Sequence, residues 1–261
     1  MREFRHTEFC MGTAFTYFGR TDKPSAEVEA AVRLSAQILH QADEIFSLYK
    51  PESPLSKLAR GETSLEKLPQ VVSEVWDLCE MWSEKTEGWF KPFNQNNMFD
   101  PSGLVKTWAA ENACLRLEEL GITDFAMNAG GDIRLSKNMS EGIPKRIGIS
   151  KPVSIAEKAG ALTVLDLNGS DYYAVATSGT AERGEHIWNP KTGLVSNQLV
   201  QVTVAAKDIV TADIFATAAF AAGDQALALL NKHVGELQAL LVYPNGELQA
   251  TEGFTKLFSP V

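Results

Sequence analysis

Helical periodicity fills the first half of this chain and short strand-like runs fill the second. That segregation restricts the available folds more than any single motif does. Val28, Ala31, Val32, Ser35, Ile38, Leu39, Ala42 and Ile45 fall at the i, i+3, i+4 spacing of one helical face. Val71, Val72, Val75, Leu78, Cys79 and Trp82 form a second such face ahead of Gly88. Asp100-Pro101-Ser102-Gly103 supplies turn chemistry and feeds a third helix, with Ser102 as its expected N-cap and Gly121 just past its end. The following segments are short and extended: 9–19, 125–135 about Gly130-Gly131, 146–149, 161–168, 172–177 and 199–206. A helix is expected over 211–222, capped by Thr211, another over 224–233, and a closing hairpin across Pro244-Asn245-Gly246. Helices followed by antiparallel strands read as an α+β fold, with mixed or antiparallel sheets packed with helices. No repeat or linker interrupts the pattern, so residues 1–261 are expected to be a single domain.

Charge and cysteine usage narrow the classes of partner. A formal net charge of −9 argues against non-specific nucleic-acid binding, which needs a basic face. It leaves room for an anionic ligand, because a local site can oppose the global charge. The three cysteines, Cys10, Cys79 and Cys114, form no C-x-x-C pair and read as small buried thiols. No run of about 18 apolar residues suggests a membrane span. Residues 1–10 lack the apolar core of a secretory signal, so a cytoplasmic location is expected.

Five segments concentrate polar and glycine residues beyond what a scaffold needs: Met11-Gly12-Thr13, Asp100–Lys106, Asn128–Asp132, Ala176–Gly179 with His186–Gly193, and Thr211–Thr217. Each alone has an ordinary reading as a turn, cap or solvated loop. Lys106 stands early in its helix, where the macrodipole disfavours a cation. A phosphate bound at the helix start would remove that penalty, and a solvent-facing lysine would cost only a few tenths of a kcal/mol. Asp213 and Thr217 are four apart on a helix, so their oxygens share a face. No Walker A, dinucleotide G-x-G-x-x-G, G-x-S-x-G or H-E-x-x-H motif is present.

Taken in order, these motifs resemble the ApbE family of FAD:protein FMN transferases from about Met11 to Gly223. The resemblance rests on Met-Gly-Thr, Ser-x-Tyr…Ser-x-Leu, D-x-S-G-x-x-K, N-A-G-G-D-I, A-T-S-G, H-I-x-N-P-x-T-G and T-A-D-x-x-A-T. It implies a T-fold-related α+β architecture. It also implies cleavage of FAD with Mg²⁺ and attachment of FMN through a phosphoester to a threonine or serine of an acceptor flavoprotein, with AMP released. By the same resemblance, flavin or adenine contacts fall at Met11, Tyr49, Trp89, Phe90, Asp100, Lys106, Ser178 and Ile187. Metal ligands fall at the Gly103 carbonyl, Asp213 and Thr217, with Ala216 beside them. His186 matches the base that activates the acceptor hydroxyl, and Lys106 and Asp213 complete the catalytic set. A carboxylate, a hydroxyl, a carbonyl and phosphate oxygens make a hard donor set suited to Mg²⁺. The chain departs from the family pattern at Lys91, Thr107, Thr180 and Asn189. An FAD pyrophosphatase and a non-catalytic FAD-binding protein are the alternative readings.

Overall fold

A computed structural model describes residues 1–94, 96–140, 143–155, 160–179 and 187–259. It shows an α+β fold of helices and antiparallel sheets, in two compact units. The first comprises Met1–Lys85, Lys91–Gly130 and Arg134–Ser140, and the second Thr86–Phe90, Gly131–Ile133 and Glu141–Val261.

In the first unit, β1 (Arg2–Cys10), β2 (Thr13–Thr21) and β3 (Asp124–Ala129) run antiparallel, with Cys10 opposite Thr13 and Phe15 opposite Ala129. The expected single strand over 9–19 is therefore broken. Met11 and Gly12 both take positive φ, 50° and 69°, which is the two-residue turn that matches strand twist. Gly19 faces Phe125 in register, where a Cβ would come within 2.7 Å of the Phe125 Cβ.

Helices α1 (Ser25–Phe46), α2 (Pro54–Ala59), α3 (Gln70–Lys85) and α4 (Ser102–Glu119) complete this unit. The buried face of α1 is Val28, Ala31, Val32, Ser35, Ala36, Leu39, Ala42 and Phe46, largely the stripe read from the sequence. Ser35 is fully buried because both its roles are satisfied. Its hydroxyl donates to the Ala113 carbonyl of α4 at 2.6 Å and meets the Tyr17 hydroxyl of β2 at 2.9 Å. At the far end of α4, Gly121 takes φ 79° and donates to the Glu118 carbonyl, while Ile122 donates to the Leu117 carbonyl. This is a Schellman ending, and Leu117 and Ile122, both fully buried, supply its apolar contact.

Strand β4 (Asp132–Leu135) follows the Gly130-Gly131 turn. In the second unit, β5 (Arg146–Ser150) and β6 (Ala161–Asp166) form a hairpin. Strands β7 (Ala174–Gly179), β8 (Gln201–Ala206), β9 (Leu237–Val242) and β10 (Leu248–Ala250) form an antiparallel sheet. Helix α5 (Ile209–Ala222) packs across β7 and β8, and the short α6 (Ala226–Asn231) follows it. Almost every residue of α5 is buried, as expected of a helix apolar on all sides. The segment Ile209–Asn231 is, by length and composition, apolar enough to cross a membrane, although the sequence reading expected no such run. Here 72% of its most apolar 18-residue window is buried, the pattern of a core helix.

Asp208, not Thr211, caps α5: its carboxylate accepts from the Thr211 N–H and from the Thr211 hydroxyl, both at 2.8 Å. Asp208→Ala is expected to lower stability by about 1 kcal/mol. In thermal unfolding that is a fall of about 3 °C. Thr211→Ala, which keeps the carboxylate–backbone bond, should cost less.

All three cysteines are buried and unpaired with one another. Burial pushes the Cys10 thiol up to about 11 and the Cys79 thiol up to about 12, so neither is a thiolate at neutral pH.

Candidate functional site

The candidate residues divide between the two units. In the first, the head of α4 is built by Asp100. Its Oδ1 accepts from the Ser102 N–H at 3.1 Å and from the Ser102 hydroxyl. The Pro101 carbonyl accepts from Leu104 and Val105 at 2.8 and 2.9 Å. Ser102 is thus the first helical residue and not the cap, because the carboxylate two residues earlier already holds its N–H. Lys106 accordingly sits at the start of the second helical turn, half-buried and with an interaction partner. Gly103 is exposed in the first turn.

Met11 occupies the β1–β2 turn, half-buried. A methionine at φ 50° is strained relative to glycine, and such strain is retained where surroundings or function demand it. Tyr49 is 97% exposed, yet its loop is stitched down. The Ser47 carbonyl accepts from the Ser53 and Ser56 hydroxyls at 2.6 and 3.1 Å, and Ser53 caps α2. The ring is therefore a bare aromatic surface on a fixed support.

In the second unit, α5 and β7 bring three oxygen-bearing side chains into one neighbourhood. The Ser178 hydroxyl, on β7, lies 3.0 Å from the Thr217 hydroxyl, on α5. Asp213 precedes Thr217 by one helical turn and is 7% exposed, and it has an interaction partner of its own. Ala216 is fully buried, and with a methyl side chain it can offer a ligand only its backbone oxygen. One residue before Ser178 on β7, the Thr177 N–H donates to Asp132 Oδ1 at 3.1 Å, so the aspartate of N-A-G-G-D anchors the strand. Gly130, at φ 62°, also has a duty inside the fold: a Cβ there would run into the Thr13 hydroxyl.

Trp89 and Phe90 are each only 4% exposed. Lys191, which the sequence reading did not single out, places its ammonium 3.8 Å from the Trp89 ring centroid. Ile187 is buried and begins a loop closed by the Ser196 N–H to its carbonyl at 3.0 Å. Within that loop Asn189 Oδ1 accepts from the Lys191 and Thr192 N–H groups at 2.9 and 3.2 Å. An asparagine oxygen performs this turn as well as an aspartate would, so the departure at Asn189 leaves the loop's geometry supported. His186 and Thr180 lie outside the described residues.

Among the described residues no three His, Cys, Asp or Glu side chains converge on a point suited to a metal. The Asp213 carboxylate and the Thr217 and Ser178 hydroxyls are hard oxygen donors, the donor type that Mg²⁺ takes together with phosphate and water.

A protein-family model described as the ApbE family matches residues 93–241, more than half of the chain. A protein of Vibrio cholerae named FAD:protein FMN transferase is 33% identical over 135 residues, covering 48% of this chain and 39% of that protein. A Haemophilus influenzae protein of the same name is 30% identical over 166 residues, covering 60% of this chain and 48% of that one. The matched stretch thus spans about half or less of these relatives' length. A crystal structure of the ApbE protein from Thermotoga maritima superposes with a TM-score of 0.82 at 20% identity, over 99% of this chain and 100% of that one.

Proposed function

The chain belongs to the ApbE family, and from that premise we propose that it is a Mg²⁺-dependent FAD:protein FMN transferase, with residues 1–261 acting as one catalytic domain. In the reaction, a threonine or serine hydroxyl of an acceptor flavoprotein attacks the FMN-side phosphorus of FAD. A new phosphoester P–O bond forms, the pyrophosphate bond to AMP breaks, and the hydroxyl proton passes to a base. The observation that carries the reading is the oxygen cluster of Asp213, Thr217 and Ser178 on α5 and β7.

Asp213 and Thr217 are assigned as metal ligands, with the Gly103 carbonyl and the neighbouring Ala216 from the same resemblance. Bound Mg²⁺ would neutralise negative charge on the phosphates. With a single carboxylate in the set, Mg²⁺ binding is expected to depend on FAD's own phosphate oxygens. Ser178, through its contact with Thr217, fixes that hydroxyl's direction. Lys106 offers an ammonium to a phosphate, and Asp100 orders the helix start that carries it. Tyr49 offers an exposed ring face and Met11 a half-buried side chain, while Trp89, Phe90 and Ile187, being buried, would reach the ring systems only where a covering side chain moves aside. His186 is assigned as the base, since an imidazole titrating near neutrality can accept a hydroxyl proton.

Incubation with FAD, Mg²⁺ and a flavoprotein acceptor is expected to give a fluorescent acceptor band that survives denaturing electrophoresis, with FMN's mass added to one Thr- or Ser-containing peptide. EDTA should abolish it. FMN and AMP released at the same rate without acceptor would make the protein a pyrophosphatase instead, and intact FAD after prolonged incubation would make it a binder.

A further inference from the structure

Trp89 is presented by a rigid, strained turn. Glu87 and Gly88 take consecutive positive φ angles of 56° and 76°. Thr86 closes the turn, its carbonyl accepting from the Trp89 N–H and its hydroxyl from the Phe90 N–H, both at 3.0 Å. Glu87 is ion-paired to Lys232 just beyond α6. A non-glycine residue at φ 56° is costly enough that several contacts must hold it there. The indole is therefore fixed in place.

Its cover is built differently. The backbone of Lys191 is held by Asn189, but its side chain is exposed and reaches Trp89 only through a four-carbon stem. The ammonium over the ring is a cation–π contact, weak where water can reach it. One partner is immobile and the other can leave at little cost.

We propose that Lys191 is a displaceable cap on the Trp89 ring face, and that it makes this face selective for a ring that carries a phosphate, a flavin or adenine nucleotide, over a neutral flavin. This rests on the reading of Trp89 as a ring-stacking residue for FAD. A ring stacking on the indole takes the ammonium's place. A neutral ligand thereby breaks the cation–π contact and returns nothing for it. A nucleotide offers the displaced ammonium a phosphate on the same molecule, so the charge is satisfied again. Because the contact given up is weak, selectivity arises chiefly from the attraction between the displaced ammonium and the phosphate.

The test compares wild type, Lys191→Met and Lys191→Arg in equilibrium titrations with FAD, FMN and riboflavin, under EDTA so that no turnover occurs. Flavin fluorescence is the readout, with Trp89→Phe confirming that ring binding involves that indole. Methionine keeps the apolar stem and loses the charge. The affinity ratio of FAD to riboflavin is expected to fall by about fivefold in Lys191→Met, the size of one exposed charge contact. Lys191→Arg should keep the wild-type ratio. A lysine that merely braces the turn would lower the melting temperature of Lys191→Met and leave the ratio unchanged, which would overturn the cap. If wild type binds FAD but Trp89→Phe leaves flavin binding untouched, the cap falls while the transferase reading stands. Failure of wild type to bind FAD both under EDTA and in a parallel titration with Mg²⁺ added overturns both.

Discussion

Asp213→Ala is expected to remove FMN transfer, lowering kcat/KM by at least about 100-fold, which corresponds to the several kcal/mol that a positioned cation contributes to charge stabilisation. Asp213 is the sole carboxylate on α5, whose remaining residues are apolar apart from Thr211 and Thr217. Without it the cluster retains the hydroxyls of Thr217 and Ser178, which are neutral donors and hold Mg²⁺ poorly on their own. Asp213→Asn separates charge from shape: it keeps an oxygen in place and should recover part of the activity at raised Mg²⁺, whereas the alanine variant should not. Thr217→Ala removes one neutral ligand and the contact to Ser178, so its loss should be smaller and should appear as a higher Mg²⁺ requirement. Thermal unfolding run on the same samples distinguishes a lost cation from a lost fold. Undiminished transfer by Asp213→Ala would end the assignment of this carboxylate to the metal.

The Asp213–Thr217 spacing was legible because helical periodicity is a local property: four residues bring two side chains to one face whatever the rest of the chain does. Ser178 beside Thr217 was not legible as a contact, because 39 residues separate the pair and only the packing of α5 on β7 joins them. The same distinction runs through the fold. The buried stripe of α1 and the glycine ending of α4 follow from short-range patterns. Strand β1 escaped detection because its residues are mostly exposed or half-exposed on both sides, so no apolar alternation marks it. Met11 then looked like the middle of a strand, although Met-Gly in fact turns the chain with two positive φ angles. The two helix starts lie one and two residues before the expected ones, because Ser102 and Thr211 are themselves held, through their N–H groups, by the carboxylates of Asp100 and Asp208. Aspartate, serine and threonine are all good caps, and when two stand close together the sequence does not rank them. Lys191 over Trp89 joins positions about a hundred residues apart and has no short-range signature at all.

Arg134→Met is expected to destabilise the protein by about 3–5 kcal/mol, the cost of leaving buried charge without its counter-charge. For a chain of this length that is a drop of about 10 °C in the melting temperature. Arg134 is fully buried at the C-terminal part of β4, and its guanidinium is divided between two carboxylates of α4. Nη2 meets Glu111 Oε1 at 3.1 Å, Nη1 donates to a Glu118 oxygen at 2.5 Å, and Nη1 also donates to the Leu135 carbonyl at 3.0 Å. Glu118 Oε1 in turn accepts from the Lys137 N–H at 3.1 Å. Burial by itself would raise the Glu118 carboxyl, but the hydrogen bond and charge of Arg134 outweigh it and hold the group below the ordinary glutamate range. A carboxyl whose folded value is depressed contributes stability above its unfolded value, near 4.3, and loses that contribution as pH falls through the folded value. The gap in melting temperature between wild type and Arg134→Met should therefore be full at neutral pH and narrow below about pH 4. Replacing all three charges together, Arg134→Met with Glu111→Leu and Glu118→Leu, should restore much of the loss, because desolvating the triad costs about as much as its attraction returns. Since Lys106 stands on the same helix as both glutamates, a triad that also aims α4 would show itself in that triple variant as a raised KM for FAD at recovered stability. If Arg134→Met alone unfolds like wild type across this pH range, the triad holds neither the helix nor the strand.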